Sequence, residues 1–392
     1  MTIYDVVIKS GRVIDPAQKL DGVFDIGISN GRIAAISHNI KNTQSKMIIN
    51  STGMIVTPGL IDLHAHIAEG IGEIGINPDN AGTKRAVTAV CDGGSLGHKN
   101  FTESKNFTPP FCNTDTFWFL NISNNGLITL PEINSMLDIE PMKAIKVINK
   151  YNNMIKGVKF RAIGTVAEKL GLKAAQTAKK IASQVGLPLM VHIGSCFSET
   201  NIFKKLNLYT KEVLKLLKKG DIISHIFTPN PGGVIKSDGK VLPEFKDAIK
   251  RGVILDVAHG MSGFSFEIAK IGIQKNLIPD IISTDLSTMT LHSTVYDLVT
   301  VMSKFLALGL SLEKIIEKVT LNPAKVLNEG KKRGSLELNT LAYISILELK
   351  QQKIIFEDGN AGNKLAGEFI LKPICCLKPE NMIIKVIPSS KI

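Results

Sequence analysis

The sequence predicts an α/β fold, a (β/α)8 barrel of the TIM type with a small β-sandwich built from both ends of the chain. Three observations support this prediction. Apolar strand-like runs alternate with amphipathic helical segments in the middle of the chain, short strands without helices occupy both ends, and a polar residue closes most of the central runs. In such barrels the catalytic side chains lie at the carboxyl ends of the strands. We therefore expect the polar strand ends to mark a functional site.

The sandwich is predicted to combine residues 1–53 with residues 331–392, on either side of a barrel at 54–330. Asn30-Gly31 is a strong hairpin signal within its first segment. Other short strands are predicted at 5–15, 24–36, 47–53, 343–349, 353–356, 368–372 and 382–387.

The first predicted barrel strand ends in His64 and His66. A helix after the fourth strand carries apolar residues on one face from Ala174 to Val185, and Gly186 ends it. More helices are predicted from 296 to 328. The other seven barrel strands are predicted at 85–92, 116–122, 157–162, 189–193, 221–225, 253–259 and 280–285.

The composition favours a cytoplasmic enzyme that acts on a small molecule. The chain has 392 residues, of which 44% are hydrophobic, and a net charge of +12. Its lysines are scattered and not interleaved with aromatic residues, so a lysine-rich surface is favoured over a nucleic-acid interface. The first residues lack a signal-peptide pattern, and no apolar run reaches membrane-spanning length, so no membrane partner is expected. Five cysteines without paired spacing predict reduced thiols, and a homo-oligomer is left open.

His64 and His66 are the first candidate metal ligands. Residues i and i+2 of a strand point to the same side, so both imidazoles can reach one metal ion. The alternative is a pair of unrelated histidines on a strand. Asp62, two residues earlier, is interpreted as a structural or supporting carboxylate.

Lys159 is the most informative strand-end residue. Strand alternation turns Val158 and Phe160 towards the helices, which leaves Lys159 and Arg161 facing the barrel axis. Burial lowers the pKa of a lysine, and a neutral amine can react with carbon dioxide to form an anionic carbamate that bridges two cations. A salt bridge to Asp285 or a solvated lysine remains the alternative.

Several motifs together resemble the amidohydrolase superfamily, in its binuclear branch with a carboxylated lysine. They also resemble, more narrowly, the dihydroorotase-like deacetylase subgroup of that superfamily. The resemblance covers essentially the whole chain. The motifs are PGLIDLHAH at 58–66, GVKFR at 157–161, MVHIG at 190–194, SH at 224–225, DVAHGMSGFSF at 256–266, PDIISTD at 279–285 and LNPAKVL at 321–327.

The resemblance implies two divalent metal ions, zinc in the family, and carboxylation of Lys159 by carbon dioxide. It places His64, His66 and Asp285 on one ion and His192 and His225 on the other, with carboxylated Lys159 as the bridge. Asp285 would also be the catalytic general acid and base. It makes Arg161 and His259 either substrate contacts or residues that support the ligands, and Gly260 and Ser95 are further candidate substrate contacts.

Two positions depart from the family pattern. Ser287 stands where many relatives have a histidine, and Ala68 stands where dihydroorotases carry the arginine of His-x-His-x-Arg. Because that arginine binds the substrate carboxylate in dihydroorotases, Ala68 argues against dihydroorotate as the substrate.

The sequence thus predicts a hydrolase for an amide or ester of a small carboxylate-bearing molecule, namely a deacetylase of N-acyl amino acids or O-acyl hydroxy acids. A hydroxide between the two metals would attack, and Asp285 would transfer the proton. A cyclic amidase of the dihydroorotase or hydantoinase type is the alternative. A remote alternative is a non-catalytic, dihydroorotase-like assembly protein, but such proteins lose metal ligands, and this chain keeps all six.

Overall fold

The computed structural model describes residues 3–195, 203–360 and 362–390. In chain order the strands are β1 Tyr4–Asp15, β2 Leu20–Ser29, β3 Arg32–Ser37, β4 Ser45–Asn50, β5 Ile55–Pro58, β6 Leu60–Ala65, β7 Val87–Asp92, β8 Asp115–Asn121, β9 Ile155–Ala162, β10 Leu189–Ile193, β11 Ile222–Ser224, β12 Ile254–Asp256, β13 Ile344–Glu357, β14 Lys364–Glu380 and β15 Ile383–Pro388. The helices are α1 Pro78–Ala81, α2 Pro141–Lys150, α3 Gly164–Lys169, α4 Leu172–Val185, α5 Phe203–Leu216, α6 Pro243–Lys250, α7 Phe266–Gln274, α8 Leu298–Ala307, α9 Leu312–Val319 and α10 Leu321–Val326. Short 3-10 helices lie at Asn42–Gln44, Thr83–Arg85, Phe101–Phe107, Gly126–Ile128 and Met136–Asp138.

A curled parallel sheet of seven strands carries the centre of the chain. Its strands lie in sequence order, from β6 to β12, and each pairs with its neighbours in parallel. β6 and β7 are buried along their whole length, because the sheet is covered on both faces. Helix α4 packs Ala174, Ala178 and Ile181 against this core, as its apolar face predicts, and Gly186 caps it in the left-handed conformation.

The predicted eighth strand, at 280–285, is not a regular strand in the part of the chain that the structure describes. Single parallel bridges join Ala65 to Leu286 and Asp256 to Ile281, so this segment contacts both edges of the seven-stranded sheet. Its backbone cannot continue as a strand because Asp285 has a φ of 51°, in the left-handed region.

Both ends of the chain join one eight-stranded mixed sheet, in the order β15-β14-β13-β5-β1-β2-β3, with β4 also paired to β1. Two separate strands were predicted at 343–349 and 353–356, but β13 is continuous across both. The pairing of β13 with β14 shifts register between Gln351 and Ile354, where the sequence predicted a break between two strands. β5 extends this sheet to Pro58, beyond residue 53, where the first sandwich segment was predicted to end. The arrangement of the strands in two sandwich layers and the domain bounds stay predictions.

Among the described residues, none of the helices combines the length and the apolar character that crossing a bilayer requires.

Candidate metal centre

The carboxyl ends of neighbouring parallel strands gather the predicted ligands at one end of the curled sheet. Three of them lie in β6, β9 and β10, and two directly follow β6 and β11. The sixth lies in the irregular segment after β12. The residues are His64, His66, Lys159, His192, His225 and Asp285. The parallel direction of the strands therefore explains why residues up to 221 positions apart meet at one place.

The first group consists of His64, His66 and Asp285. One ligand atom from each side chain lies within 4.8 Å of the other two. Asp285 Oδ1 lies 3.1 Å from His66 Nε2 and 3.6 Å from His64 Nε2. Burial alone would raise the pKa of Asp285, but the hydrogen bond with His66 and the nearby imidazoles hold it well below its usual range. An anionic carboxylate and two imidazoles form a donor set that suits zinc.

The second group consists of His192 and His225, whose ring centroids are 4.0 Å apart. The ring of His225 also lies 5.6 Å from that of His64, so the two groups adjoin. Both ring nitrogens of His225 are buried and lack a hydrogen-bond partner among the described residues. Burial lowers the pKa of His225 to about 3, which keeps the ring neutral. Because buried polar atoms rarely stay unsatisfied, a metal ion fits these nitrogens well.

Lys159 lies against the first group, and its side chain points inward as strand alternation predicts. Its Nζ is 2.9 Å from His64 Nε2 and 3.7 Å from Met190 Sδ. The residue is only 1% exposed, and burial together with the charge of Arg161 lowers its pKa to about 8, against the opposing effect of Asp285. No ion pair joins Lys159 to Asp285 within the described ranges, so neither the salt-bridged nor the solvated alternative is realised.

Both histidines of the first group are oriented by hydrogen bonds to their Nδ1 atoms. His64 Nδ1 lies 3.2 Å from Asp256 Oδ2, and Asp256 also accepts from Ser224 Oγ at 2.8 Å and Ser283 Oγ at 2.5 Å. His66 Nδ1 lies 2.9 Å from Ser95 Oγ. In the tautomer with its proton on Nδ1, each ring donates to these partners and turns its Nε2 lone pair towards the candidate metal position.

Two further buried carboxylates organise the backbone around these histidines. Asp92 accepts from the N–H groups of Ile67, Gly94 and Ser95 at 2.9, 2.9 and 2.6 Å. Gly94 must be glycine here, since its φ is 100° and a Cβ would lie 2.4 Å from Lys159 Cγ. Asp62 accepts from the N–H and the hydroxyl of Thr284, and complete burial raises its pKa to about 7. Asp62 is therefore a supporting group, as interpreted from the sequence.

A cavity of about 260 Å³ opens above the candidate ligands. Its floor includes five of them together with Arg161, and its walls are mainly apolar. The apolar wall residues are Ile74, Leu127, Leu130, Ile193, Met261 and Met289, and polar ones are Ser195, Thr228, Ser262, Ser287 and Thr290. A reactive polar floor beneath apolar walls suits a small organic substrate.

The four predicted substrate contacts differ in their position relative to the cavity. Arg161 lines the cavity, and its Nη1 lies 2.9 Å from Oε2 of the buried Glu132. His259, in contrast, stacks on Phe264 at 4.3 Å and places Nε2 3.0 Å from Lys304 Nζ.

Ser95 contacts His66, and Gly260 lies beside Asp285, where a Cβ would be 2.6 Å from Oδ2. Among the described residues, the cavity lining includes neither of these two nor His259. Their substrate contacts stay predictions.

The chain was compared with known proteins. No family model matches it. A deacetylase from Brucella anthropi is 31% identical to it over 344 residues, which cover 87% of this chain and 83% of that protein. A deacetylase from Agrobacterium fabrum is 30% identical over 334 residues, which cover 84% of this chain and 79% of that protein. The chain belongs to the amidohydrolase superfamily.

Two solved structures share the fold of this amidohydrolase over nearly its whole length. A crystal structure of an adenine deaminase has a TM-score of 0.86 and 28% identity, and covers 97% of this chain and 99% of its own. A crystal structure of a dihydroorotase has a TM-score of 0.85 and 26% identity, and covers 99% of this chain and 100% of its own. These relatives and neighbours are hydrolases of the superfamily, so the chain is a hydrolytic enzyme, as predicted.

Four buried residues of this amidohydrolase site were not predicted from the sequence. Asp92 and Asp256 each end a strand, so the signal that marked the metal ligands was present for them too. Glu132 lies in the connection between β8 and β9, and Lys304 lies inside α8. Glu132 pairs with Arg161 and Lys304 with His259 only in the folded chain, and no local sequence pattern predicts these pairs.

Proposed function

We propose that this amidohydrolase is a binuclear metal-dependent deacetylase for small carboxylate-bearing substrates, either N-acyl amino acids or O-acyl hydroxy acids. One observation carries the proposal: two groups of candidate ligand side chains adjoin each other beneath one small cavity, and five of the six candidate ligands line it. His64, His66 and Asp285 would hold one zinc ion. His192 and His225 would hold the other, with carboxylated Lys159 shared between them.

The lowered pKa of the buried Lys159 amine supports its carboxylation. With a pKa lowered to about 8, about a tenth of the amine is unprotonated at pH 7, far more than for an ordinary lysine. The nitrogen lone pair attacks the carbon of carbon dioxide, a C–N bond forms, one C=O π bond opens to leave the charge on oxygen, and the nitrogen loses a proton to water, which gives an anionic carbamate. Its oxygens would supply the anionic ligand that the lysine amine cannot.

The chemistry divides between the metals and Asp285. When bound, the two metal ions polarise the substrate carbonyl and lower the pKa of a water molecule towards about 7. Asp285 Oδ1 lies 3.1 Å from His66 Nε2 and the residue lines the cavity, so its carboxylate would accept the proton of the attacking water and pass it to the leaving nitrogen or oxygen. Asp256 and Ser95 keep the two histidines in the orientation that this arrangement needs.

The cavity supports a linear acyl substrate with a carboxylate. Arg161 lies in the cavity wall, and a guanidinium binds a carboxylate through a two-pronged hydrogen bond. Its ion pair with Glu132 fixes its orientation and balances part of its charge. The apolar walls suit the acyl group, and the two deacetylase relatives favour the same reaction.

A cyclic amidase of the dihydroorotase type is the second candidate, favoured by the likeness to the solved dihydroorotase. Ala68 weighs against it, because it stands in place of the carboxylate-binding arginine and is fully buried. The non-catalytic assembly protein is no longer a candidate, because the relatives and structural neighbours are hydrolases of the superfamily.

We further propose that the parallel sheet and residues 281–286 close into a (β/α)8 barrel, in keeping with the bridges to both sheet edges. We also propose a cytoplasmic location, where thiols stay reduced, because all the cysteines within the described ranges are unpaired. A homo-oligomer and the lack of a nucleic-acid or membrane partner stay predictions.

The deciding experiment is a substrate panel run beside metal analysis of the purified enzyme. The panel contains N-acetyl amino acids, O-acetyl 2-hydroxy acids, dihydroorotate, a hydantoin and adenine. We expect about two divalent ions per chain and the highest kcat/KM for a linear acyl substrate. A higher kcat/KM for a cyclic amide would favour the cyclic amidase. Ammonia release from adenine would favour a deaminase, and no turnover of any linear acyl substrate by the metal-loaded enzyme would contradict the proposed deacetylase.

A further inference from the structure

We propose that the tip of the β13–β14 hairpin, residues 357–360, positions the cavity wall at Met261–Gly263 and thereby determines which substrates fit. The wall, whose three residues line the cavity, lies within a segment at 257–265 that contains neither helix nor strand. Their position must therefore come from contacts with other parts of the chain. The substrate part of this inference rests on the proposed function, whereas the positioning part does not.

The first set of contacts holds the chain just after the wall. Asp358 Oδ2 accepts from the N–H of Phe266 at 2.8 Å, and the Asn360 side-chain amide donates to Phe264 O at 2.7 Å. Asp358 is fully buried, and its other oxygen accepts from the Asn360 N–H at 2.9 Å. The tip is therefore hydrogen-bonded to the backbone at two positions, Phe264 and Phe266.

The second contact acts on the wall itself. Gly359 has a φ of 89°, and a Cβ there would lie only 1.9 Å from Met261 O. The backbone of the tip thus packs directly against Met261, whose side chain lines the cavity. Nothing larger than glycine fits without moving the wall or the hairpin.

The third set of contacts holds the chain just before the wall. Lys304 is 1% exposed and donates to Glu357 O and Thr294 O, both at 2.7 Å, while its Nζ lies 3.0 Å from His259 Nε2. Since the ammonium donates to Nε2, the ring carries its proton on Nδ1, which donates to Gly260 O at 2.8 Å.

Gly260 directly precedes the wall and lies beside the carboxylate of Asp285. A Cβ on Gly260 would lie 2.6 Å from Asp285 Oδ2. Any shift of the wall therefore changes the space next to Asp285, where the substrate's reacting bond must lie. Lys304 and His259 act in this scheme as positioning residues, and the hairpin tip links the mixed sheet to substrate selection.

The test compares Gly359→Ala with Gly362→Ala. Gly362 lies in the same hairpin with a φ of 82°, and an added Cβ there meets nothing within 4 Å. Both variants carry the same backbone strain, but only Gly359→Ala presses on Met261. For Gly359→Ala we expect faster hydrogen–deuterium exchange at 260–266 and an unchanged metal content. We also expect a KM raised about tenfold or more with a smaller change in kcat, because the wall shapes binding more than chemistry.

Asn360→Ala provides a second variant, since it removes one hydrogen bond without adding an atom. We expect faster exchange at 264–266 in this variant as well. Exchange in Gly359→Ala and Asn360→Ala that matches Gly362→Ala would overturn the positioning. Faster exchange with parental KM values across the substrate panel would overturn the role in substrate selection. Because exchange needs no substrate, failure of the proposed reaction and failure of the positioning are told apart.

Discussion

Replacing Asp256 by asparagine tests whether a buried carboxylate keeps His64 ready to bind a metal ion. Asp256 Oδ2 accepts from His64 Nδ1 and from Ser224 Oγ, and Oδ1 accepts from Ser283 Oγ. The substitution preserves the shape of the side chain. It removes the negative charge and turns one of the two acceptors into a donor.

The expected magnitude depends on which way the new amide faces. If its oxygen faces His64, the ring keeps its proton on Nδ1, and the NH2 group can donate to the Ser283 hydroxyl. Only the charge assistance is then lost, which corresponds to about 1.4 kcal/mol, or about tenfold in metal affinity.

If the NH2 group faces His64, the ring must accept at Nδ1 and carry its proton on Nε2. Nε2 is the atom that lies 3.6 Å from Asp285 Oδ1, so the first metal position loses a ligand. We then expect a loss of about a hundredfold in metal affinity.

The assay is zinc competition with a chromophoric chelator at fixed pH, with circular dichroism to verify the fold. Ser283→Ala is the matched control, since it removes a partner of Asp256 that lies on the oxygen away from His64. We expect this control to stay within about threefold of the parent. A folded Asp256→Asn enzyme that binds zinc as tightly as the parent would refute the orienting role.

Four other predictions concern the same site. His192→Ala should fold and lose activity together with about one of two bound metal ions, because a direct ligand is removed; an active parent enzyme with a single tightly bound ion would contradict the binuclear model. Lys159→Ala should lose activity, which short carboxylic acids restore in part as substitute bridges, and full activity without them would make the lysine structural. Arg161→Met should reduce kcat/KM for carboxylate-bearing substrates about a hundredfold, with little effect on neutral esters, whereas equal losses would dismiss Arg161 as a carboxylate contact. The metal-free enzyme should lose thermal stability as the pH falls from 6.5 towards 3, since the pKa of His225 is lowered from 6.5 to about 3 and the unfolded chain therefore binds more protons in this range; a Tm independent of pH there would contradict this.

The sequence predicted which side chains come together at the candidate metal site better than it predicted their surroundings. The apolar period of each strand marks the polar residues that interrupt it: His192 lies one residue before the end of β10, whereas Lys159 lies inside β9. The strand predicted at 280–285 was wrong because the left-handed backbone of Asp285 is set by its tertiary contacts. Glu132 and Lys304 pair with residues 29 and 45 positions away, and nothing in their own neighbourhoods shows these pairings.

The pairing of β5 with β13 also determines how late in synthesis the mixed sheet can be completed. Ile346 lies opposite Val56 across nearly 300 residues, a separation that delays closure of the contact. During synthesis, β1 to β5 and all seven parallel strands leave the ribosome before β13 does. Until then β5 presents an open edge, and the wall at Met261 lacks the hairpin against which it packs. The candidate metal ligands and the wall therefore leave the ribosome before the hairpin tip that packs against Met261, so the contact between tip and wall can form only after the residues of the site have been synthesised.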